Sequence, residues 1–259
     1  MGNTLVTFAN RIFKHIGRPR PDLQQLQHCK IVSHRGEHDN QHVFENTIAA
    51  FDRVQARGAW GIELDVRWTR DLLPVVFHDR NTQRLYQNGT EICRVTFAEL
   101  NAAFPLIPKL EDVIRRYGKN MHLMVEIKEE YYPDPLYQNR VLNETFEPLQ
   151  PVRDYHLLTL APRMFELLDF VPAAAFLPVA ELNVKQLSKL AVEKKYGGLL
   201  GHYALLNSRI LKKHHSLGQK VGTGFIESKN SLFRELNRHV EWLFTNNAVA
   251  MQAILNEYL

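Results

Sequence analysis

From residue 30 onward, short apolar runs alternate with longer stretches whose apolar residues recur at helical spacing. Strands are predicted at Lys30–His34, Gly61–Trp68, Pro74–His78, His122–Lys128, Tyr155–Leu160, Ala174–Val179, Gly198–Tyr203, Val221–Phe225 and Glu241–Thr245. Helices are predicted at Asn46–Arg57, Leu110–Tyr117, Leu136–Leu149, Pro162–Phe170, Val184–Tyr196, Ser208–Leu217, Ser231–Val240 and Ala248–Leu259. Asn183, Asn207 and Asn230 suit N-caps, and Gly58, Gly118 and Gly218 stand where helices should stop. Strand followed by helix, repeated about eight times, is the pattern of an α/β chain folded as a (β/α)8 TIM barrel. A doubly wound open sheet carries the same local signals. Pro74–His78 is surplus and could extend the second unit. The polar stretch Asp79–Ala103, with Asn88-Gly89 as a turn signal, reads as an irregular excursion on the rim.

This divides the chain into an N-terminal helix and linker, residues 1–27, and a barrel domain, residues 28–259, with an insertion at about 79–105 after the second unit. Phe8, Ile12, Phe13 and Ile16 share a helical face with Arg11, Lys14 and Arg18 around them. Such a helix covers part of a core or lies on an anionic membrane; the first use is the commoner one. Arg18-Pro19-Arg20-Pro21 then reads as the linker, because a residue before proline is pushed out of helix.

Composition narrows the classes. The 259 residues are 45% hydrophobic and 23% charged, which suits a globular protein and not a disordered one. The net charge of +4 comes with no Lys/Arg block, which argues against nucleic acid. No apolar run reaches the roughly 18 residues of a membrane span. Nothing resembles a signal peptide, and Val6 stands where a myristoylation signal needs Ser or Thr. Cys29 and Cys93 make neither a disulfide framework nor a zinc finger, so a reducing, cytoplasmic setting is expected.

The strands carry charges that parallel strands buried on both faces should not have. In Gly61–Arg67, Ile62, Leu64 and Val66 point one way and Glu63, Asp65 and Arg67 the other. In His122–Lys128, Leu123, Val125 and Ile127 oppose His122, Met124, Glu126 and Lys128. His34 and His78 end two further runs. If the apolar faces meet the helices, the carboxylates converge inside the barrel and need a countercharge. A hard divalent cation, Mg²⁺ or Ca²⁺, on Glu63, Asp65 and Glu126 supplies it; the alternative is a web of salt bridges with Arg35, Arg67 and Lys128. Two histidines beside such a cation suggest a proton acceptor and a proton donor.

His34-Arg35-Gly36, Glu45-Asn46-Thr47, Glu63-Leu64-Asp65-Val66, His78-Asp79 and Glu126-Ile127-Lys128, in that order, resemble the glycerophosphodiester phosphodiesterases. Ile107–Val113 also looks like that family's proline-centred segment. The resemblance is dense from Ile31 to Lys128 and thinner beyond. It implies a TIM barrel with a small insertion after the second unit. It implies metal ligation by Glu63, Asp65 and Glu126, and a base and acid pair in His34 and His78. Arg35 matches the phosphate-binding arginine, Lys128 a lysine facing phosphate and metal, and Glu45 a carboxylate orienting Arg35 or His34. The implied reaction releases glycerol 3-phosphate and an alcohol: a glycerol hydroxyl attacks phosphorus, and water then opens the cyclic phosphate.

Some positions depart from the family. The segment before Glu45 is long, and Phe44 replaces a common proline. Phe225 could take the place of a tryptophan that packs on glycerol. Thr245-Asn246 fits a common ending without its usual proline. These changes bear on the leaving alcohol, for which glycerol, ethanolamine or choline is expected. The rival readings are a lysophospholipase D, supported only by the Phe8–Ile16 helix, and a non-catalytic barrel that binds phosphate ligands. His38, Asp39 and His42 lack the glutamate of a zinc protease helix, and Gly222-Thr223-Gly224 lacks the third glycine of a dinucleotide loop. His214-His215 beside Lys212-Lys213 reads as a solvated helix face.

Overall fold

The computed structural model describes residues 14–259. Eight parallel strands close into a barrel: β1 (Ile31–His34), β2 (Gly61–Trp68), β4 (His122–Ile127), β5 (Tyr155–Thr159), β6 (Phe176–Ala180), β7 (Gly198–His202), β8 (Lys220–Gly224) and β9 (Trp242–Thr245). Closure comes from β1, which pairs with both β2 and β9. The helices α1 (Leu23–Gln27), α2 (Ile48–Gln55), α3 (Gln83–Tyr86), α4 (Phe97–Ala103), α5 (Leu110–Tyr117), α6 (Pro135–Phe146), α7 (Val184–Glu193), α8 (Ser208–Ser216), α9 (Lys229–Leu236) and α10 (Ala248–Asn256) complete the chain.

The outer layer sets strand parity. Ile62, Leu64, Val66, Leu123, Val125 and Ile127 are buried in one cluster with Phe51, Val54, Leu110, Val113 and Tyr117 of the helices. Each such side chain stabilises the fold by about 1.5–3 kcal/mol when removed from water. A one-residue slip would turn them all inward. The intervening positions therefore face the barrel axis. Its middle is filled by Val32, Met124, Leu158, Leu177, Leu200, Trp242 and Phe244. Above this apolar plug, at the C-terminal ends of the strands, lie the charged residues.

The surplus strand, β3 (Pro74–Val76), runs antiparallel to β2, pairing Val66 with Val76 and Trp68 with Pro74. The stretch expected to be an irregular excursion is instead organised. Ile92, Leu100, Phe104 and Ile107 pack on Val75 and Phe77 as a separate small core. A capping box between Thr96 and Glu99 starts α4. These apolar residues are too sparse to show a period, but β3 gives them a common surface.

Other local differences have local causes. Directly after the predicted Arg18–Pro21 linker the chain forms a short helix that was not predicted, α1, which begins with a capping box between Asp22 and Gln25 and buries Leu26. The first part of the predicted Phe8–Ile16 helix lies outside the described residues. Pro162–Leu167 winds as a 3₁₀ helix. Ser228, not Asn230, caps α9 by accepting from the Ser231 amide. His214 is not on a solvated face: it is fully buried, bonded to Ser188 and Gln219. Gly222–Gly224 lies within β8, so no dinucleotide loop forms. Among the described residues, no helix is long and apolar enough to cross a membrane.

Candidate active site

The two histidines reach the same edge of β2 by different routes. His34 ends β1 and pairs in register with Glu63. His78 follows β3, whose antiparallel course carries the chain back down β2; the Phe77 amide donates to the Asp65 carbonyl at 2.9 Å. The expectation of two strand-end histidines holds in position, but His78 arrives by a hairpin and not at the C-terminal end of a barrel strand.

Glu63, Asp65 and Glu126 are buried, and one oxygen from each lies within 4.8 Å of the others. Lys128 Nζ is 2.7 Å from Asp65 Oδ1 and 2.6 Å from Glu126 Oε1. Arg35 Nε is 3.1 Å from Asp65 Oδ2. Burial would raise the Asp65 pKa, but Lys128 and Arg35 outweigh it and hold the carboxylate ionised well below its ordinary range. Burial and the Asp65 charge push Glu63 well above the usual value, and burial also raises Glu126. With Glu45 and Asp79, five carboxylates face the three fixed cations Arg35, Arg84 and Lys128. The converging Glu63, Asp65 and Glu126 are hard oxygen donors at a spacing that suits a divalent ion. The salt-bridge alternative is met only in part. Arg67 does not join the triad; it pairs with Glu130 at 3.1 Å and donates to the His78 carbonyl at 2.8 and 3.0 Å.

The Glu45-Asn46-Thr47 motif holds this end of the barrel together. Glu45 Oε1 accepts from Arg35 Nη1 at 3.0 Å. Asn46 Nδ2 donates to Asp65 Oδ2 at 2.7 Å. The Thr47 hydroxyl caps α2 by accepting from the Ala50 amide at 3.3 Å. The turn after Arg35 needs a glycine: Gly36 has φ +81°, and a Cβ there would lie 2.6 Å from that of Ala50. Burial would raise Glu45, but its bonds to Arg84, Arg35 and Asn40 hold it at about 2.

Each histidine is oriented through Nδ1. His34 Nδ1 lies 2.7 Å from Asn246 Oδ1, and His34 Nε2 lies 3.8 Å from Glu63 Oε2. Burial and the Arg35 charge lower the His34 pKa to about 3, leaving it neutral. His78 Nδ1 lies 2.6 Å from Asp79 Oδ1; burial lowers its pKa too, while the Asp65 and Asp79 carboxylates oppose that shift. The Phe225 ring meets the His34 ring edge-on at 4.7 Å between centroids. The predicted residues Arg35, Glu45, Glu63, Asp65, Glu126, Lys128, His34, His78 and Phe225 are thus brought to one mouth.

Sequence reasoning assigned no role to Asn46, Asp79 or Asn246, although each stood in a quoted motif. It passed over Arg84, which lies in the stretch taken for a loop. Arg84 Nη2 and Nη1 reach Glu45 at 2.6 and 3.0 Å, and its Nε reaches Asp79 Oδ2 at 2.7 Å. The long segment before Glu45 folds on itself: Asp39 Oδ1 accepts from the amides of Gln41, His42 and Val43. His38 Nδ1 lies 2.9 Å from the Gly36 carbonyl and its Nε2 3.8 Å from Glu45 Oε2. Phe44 packs on Tyr86 of α3 at 5.1 Å.

A model of the glycerophosphoryl diester phosphodiesterase family matches residues 34–247. The chain is 36% identical over 110 residues to a glycerophosphodiester phosphodiesterase of Caldanaerobacter subterraneus, covering 38% of this chain and 44% of that protein. It is 34% identical over 94 residues to human glycerophosphodiester phosphodiesterase 1, covering 34% and 28%. The matched stretch therefore spans less than half the length of these relatives. A solved structure of an Oleispira antarctica phosphodiesterase, bound to the product sn-glycerol-3-phosphate, superposes with a TM-score of 0.69 at 19% identity, covering 88% of this chain and 96% of that one. At that identity the likeness establishes the barrel fold.

Proposed function

The chain belongs to the glycerophosphoryl diester phosphodiesterase family, and we propose that it hydrolyses glycerophosphodiesters to glycerol 3-phosphate and an alcohol with the help of one divalent cation, Mg²⁺ or Ca²⁺. One observation carries this reading: three buried carboxylates within 4.8 Å, flanked by two histidines that are each held through Nδ1. Glu63, Asp65 and Glu126 would hold the cation, which when bound supplies Lewis-acid stabilisation of charge on the phosphoryl oxygens.

The protein's own groups do the rest. Arg35 presents a guanidinium to the phosphate, its plane fixed by Glu45 and Asp65. Lys128 adds a second positive charge at the same place. Neutral His34 donates from Nδ1 to Asn246, leaving Nε2 free to take the proton of the attacking glycerol hydroxyl. His78 backs onto a carboxylate, Asp79, which stabilises its protonated form; it delivers a proton to the leaving alcohol. Water then opens the cyclic phosphate with the two roles exchanged. Phe225, against His34, offers an aromatic surface to the glycerol. The product bound in the Oleispira structure supports the substrate class. The free thiols Cys29 and Cys93 suit a cytoplasmic setting.

The test is release of choline, ethanolamine or glycerol from the matching glycerophosphodiesters, with and without chelator. Turnover that needs the cation is expected. Full turnover in excess chelator would refute the metal assignment, and no turnover of any diester would leave a binding barrel. Lysophosphatidylcholine belongs in the same panel. A kcat/KM about tenfold above that for glycerophosphocholine, near 1.4 kcal/mol of transition-state preference, would make the protein a lysophospholipase D.

A further inference from the structure

Arg84 stands at the middle of a charged chain that joins the two halves of the site. Arg35 Nη1 is 3.0 Å from Glu45 Oε1, and the same oxygen lies 2.6 Å from Arg84 Nη2. Arg84 Nη1 reaches the other Glu45 oxygen at 3.0 Å. Arg84 Nε reaches Asp79 Oδ2 at 2.7 Å, and Asp79 Oδ1 lies 2.6 Å from His78 Nδ1. A planar fork is needed here, because one guanidinium serves two carboxylates in different directions; an ammonium is a point charge.

The placement of Arg84 is itself built. It lies on the short helix α3 of the insertion, two residues before Tyr86. The Tyr86 ring packs on Phe44 at 5.1 Å, beside Glu45, and on Phe104 of the insertion core at 4.9 Å. The Glu45 side chain is only 3% exposed, while that of Arg84 is 43% exposed, so the guanidinium closes over the carboxylate from the solvent side.

We propose that Arg84 is a positioning residue. By holding Glu45 and Asp79 at a set separation it fixes Arg35 for the phosphate and His78 for the leaving alcohol. The insertion thereby becomes a working part of the site and not only a rim. The inference rests on the phosphodiesterase reading above. Without Arg84, Asp79 loses the bond that aims it, and the carboxylate that orients His78 is no longer held in place. Glu45 keeps Asn40 and Arg35 but loses two of its bonds.

The two arms separate in kinetics. Wild type, Arg84→Ala and Arg84→Lys are assayed with saturating Mg²⁺ on glycerophosphocholine and on the p-nitrophenyl ester of glycerol 3-phosphate. p-Nitrophenolate departs without a proton, so it does not need His78. For Arg84→Ala, kcat on glycerophosphocholine should fall about 10²-fold, as lost acid catalysis does. The kcat loss on the nitrophenyl ester should be at least tenfold smaller. KM should rise on both substrates through the Arg35 arm, and Arg84→Lys should recover only part of either effect. Should Arg84→Ala fail to fold, as judged by its thermal transition, Arg84→Lys carries the same comparison. Equal kcat losses on the two substrates, or values within twofold of wild type on both, would overturn the proposal. Wild type inactive on both substrates is a different result, which removes the phosphodiesterase reading and this inference with it.

Discussion

The side-chain amide of Asn46 donates to Oδ2 of Asp65 at 2.7 Å from a backbone held at φ +58°. Asparagine tolerates this left-handed conformation better than most residues, and here its amide fixes the plane of a carboxylate buried among the proposed ligands. Asn46→Ala and Asn46→Gly both remove the amide, and only glycine suits the backbone. Affinity for Mg²⁺ or Ca²⁺, measured by calorimetric titration, should fall about 10–100-fold in both, as for other groups that orient metal ligands. Both should lose thermal stability with the bond to Asp65, and the alanine variant more than the glycine one. Unchanged affinity in the glycine variant would show that the amide has no part in ligation.

Glu63 predicts an inversion of the usual effect of mutation. Burial and the charge of Asp65 raise its folded pKa above the unfolded value. Its stabilising contribution is therefore complete below the unfolded pKa and is lost as pH rises through the folded one. At neutral pH without cation, Glu63→Gln should melt above wild type, by roughly 2–4 °C for each kcal/mol relieved. Added Mg²⁺ or Ca²⁺ should raise the wild-type transition and leave that of the variant nearly unmoved. Differential scanning calorimetry with chelator and with cation reads both.

The histidines should part company on the leaving group. His34→Ala and His78→Ala should each reduce kcat on glycerophosphocholine by about 10²-fold or more. With p-nitrophenolate as leaving group, His78→Ala should recover most of its loss and His34→Ala little, because the nucleophile still needs its base. Recovery in His34→Ala instead would exchange the two assignments.

A second histidine pair, at the other end of the barrel, predicts how stability follows pH. His122 Nδ1 donates to the Arg153 carbonyl at 3.0 Å, so in neutral His122 the Nε2 accepts from His156 Nδ1 at 2.8 Å. Trp60 stacks on His122 at 4.3 Å. Burial lowers His122 to about 4 and His156 further, the latter helped by the charge of His122. The unfolded chain thus binds more protons below its own pKa near 6.5, so stability should be full above pH 6.5 and fall on the way to pH 4. The His122 part is on the order of 3 kcal/mol. Urea unfolding midpoints across this range should slope less steeply in a His122→Phe/His156→Phe double variant; an unchanged slope would place the acid sensitivity elsewhere.

The alternation in Gly61–Arg67 and His122–Lys128 was enough to read which residues face inward, because side-chain direction in a strand is a local property of period two. It put Glu63, Asp65, Glu126 and Lys128 on the inward side, and the order of motifs pointed to the family. The helix-and-strand rhythm likewise pointed to a barrel but fitted an open doubly wound sheet as well; the pairing of β1 with both β2 and β9 decides closure. Other features depend on pairings between distant segments, which no local period records. β3 turns back antiparallel on β2 and so lowers His78 beside Asp65. Arg67, on the inward face by parity, is drawn instead to Glu130, 63 residues away. Arg84 lies 39 residues from Glu45 in sequence and hydrogen-bonds it in space, carried there by an insertion whose scattered apolar residues gain a common surface only once Val75 and Phe77 are in place.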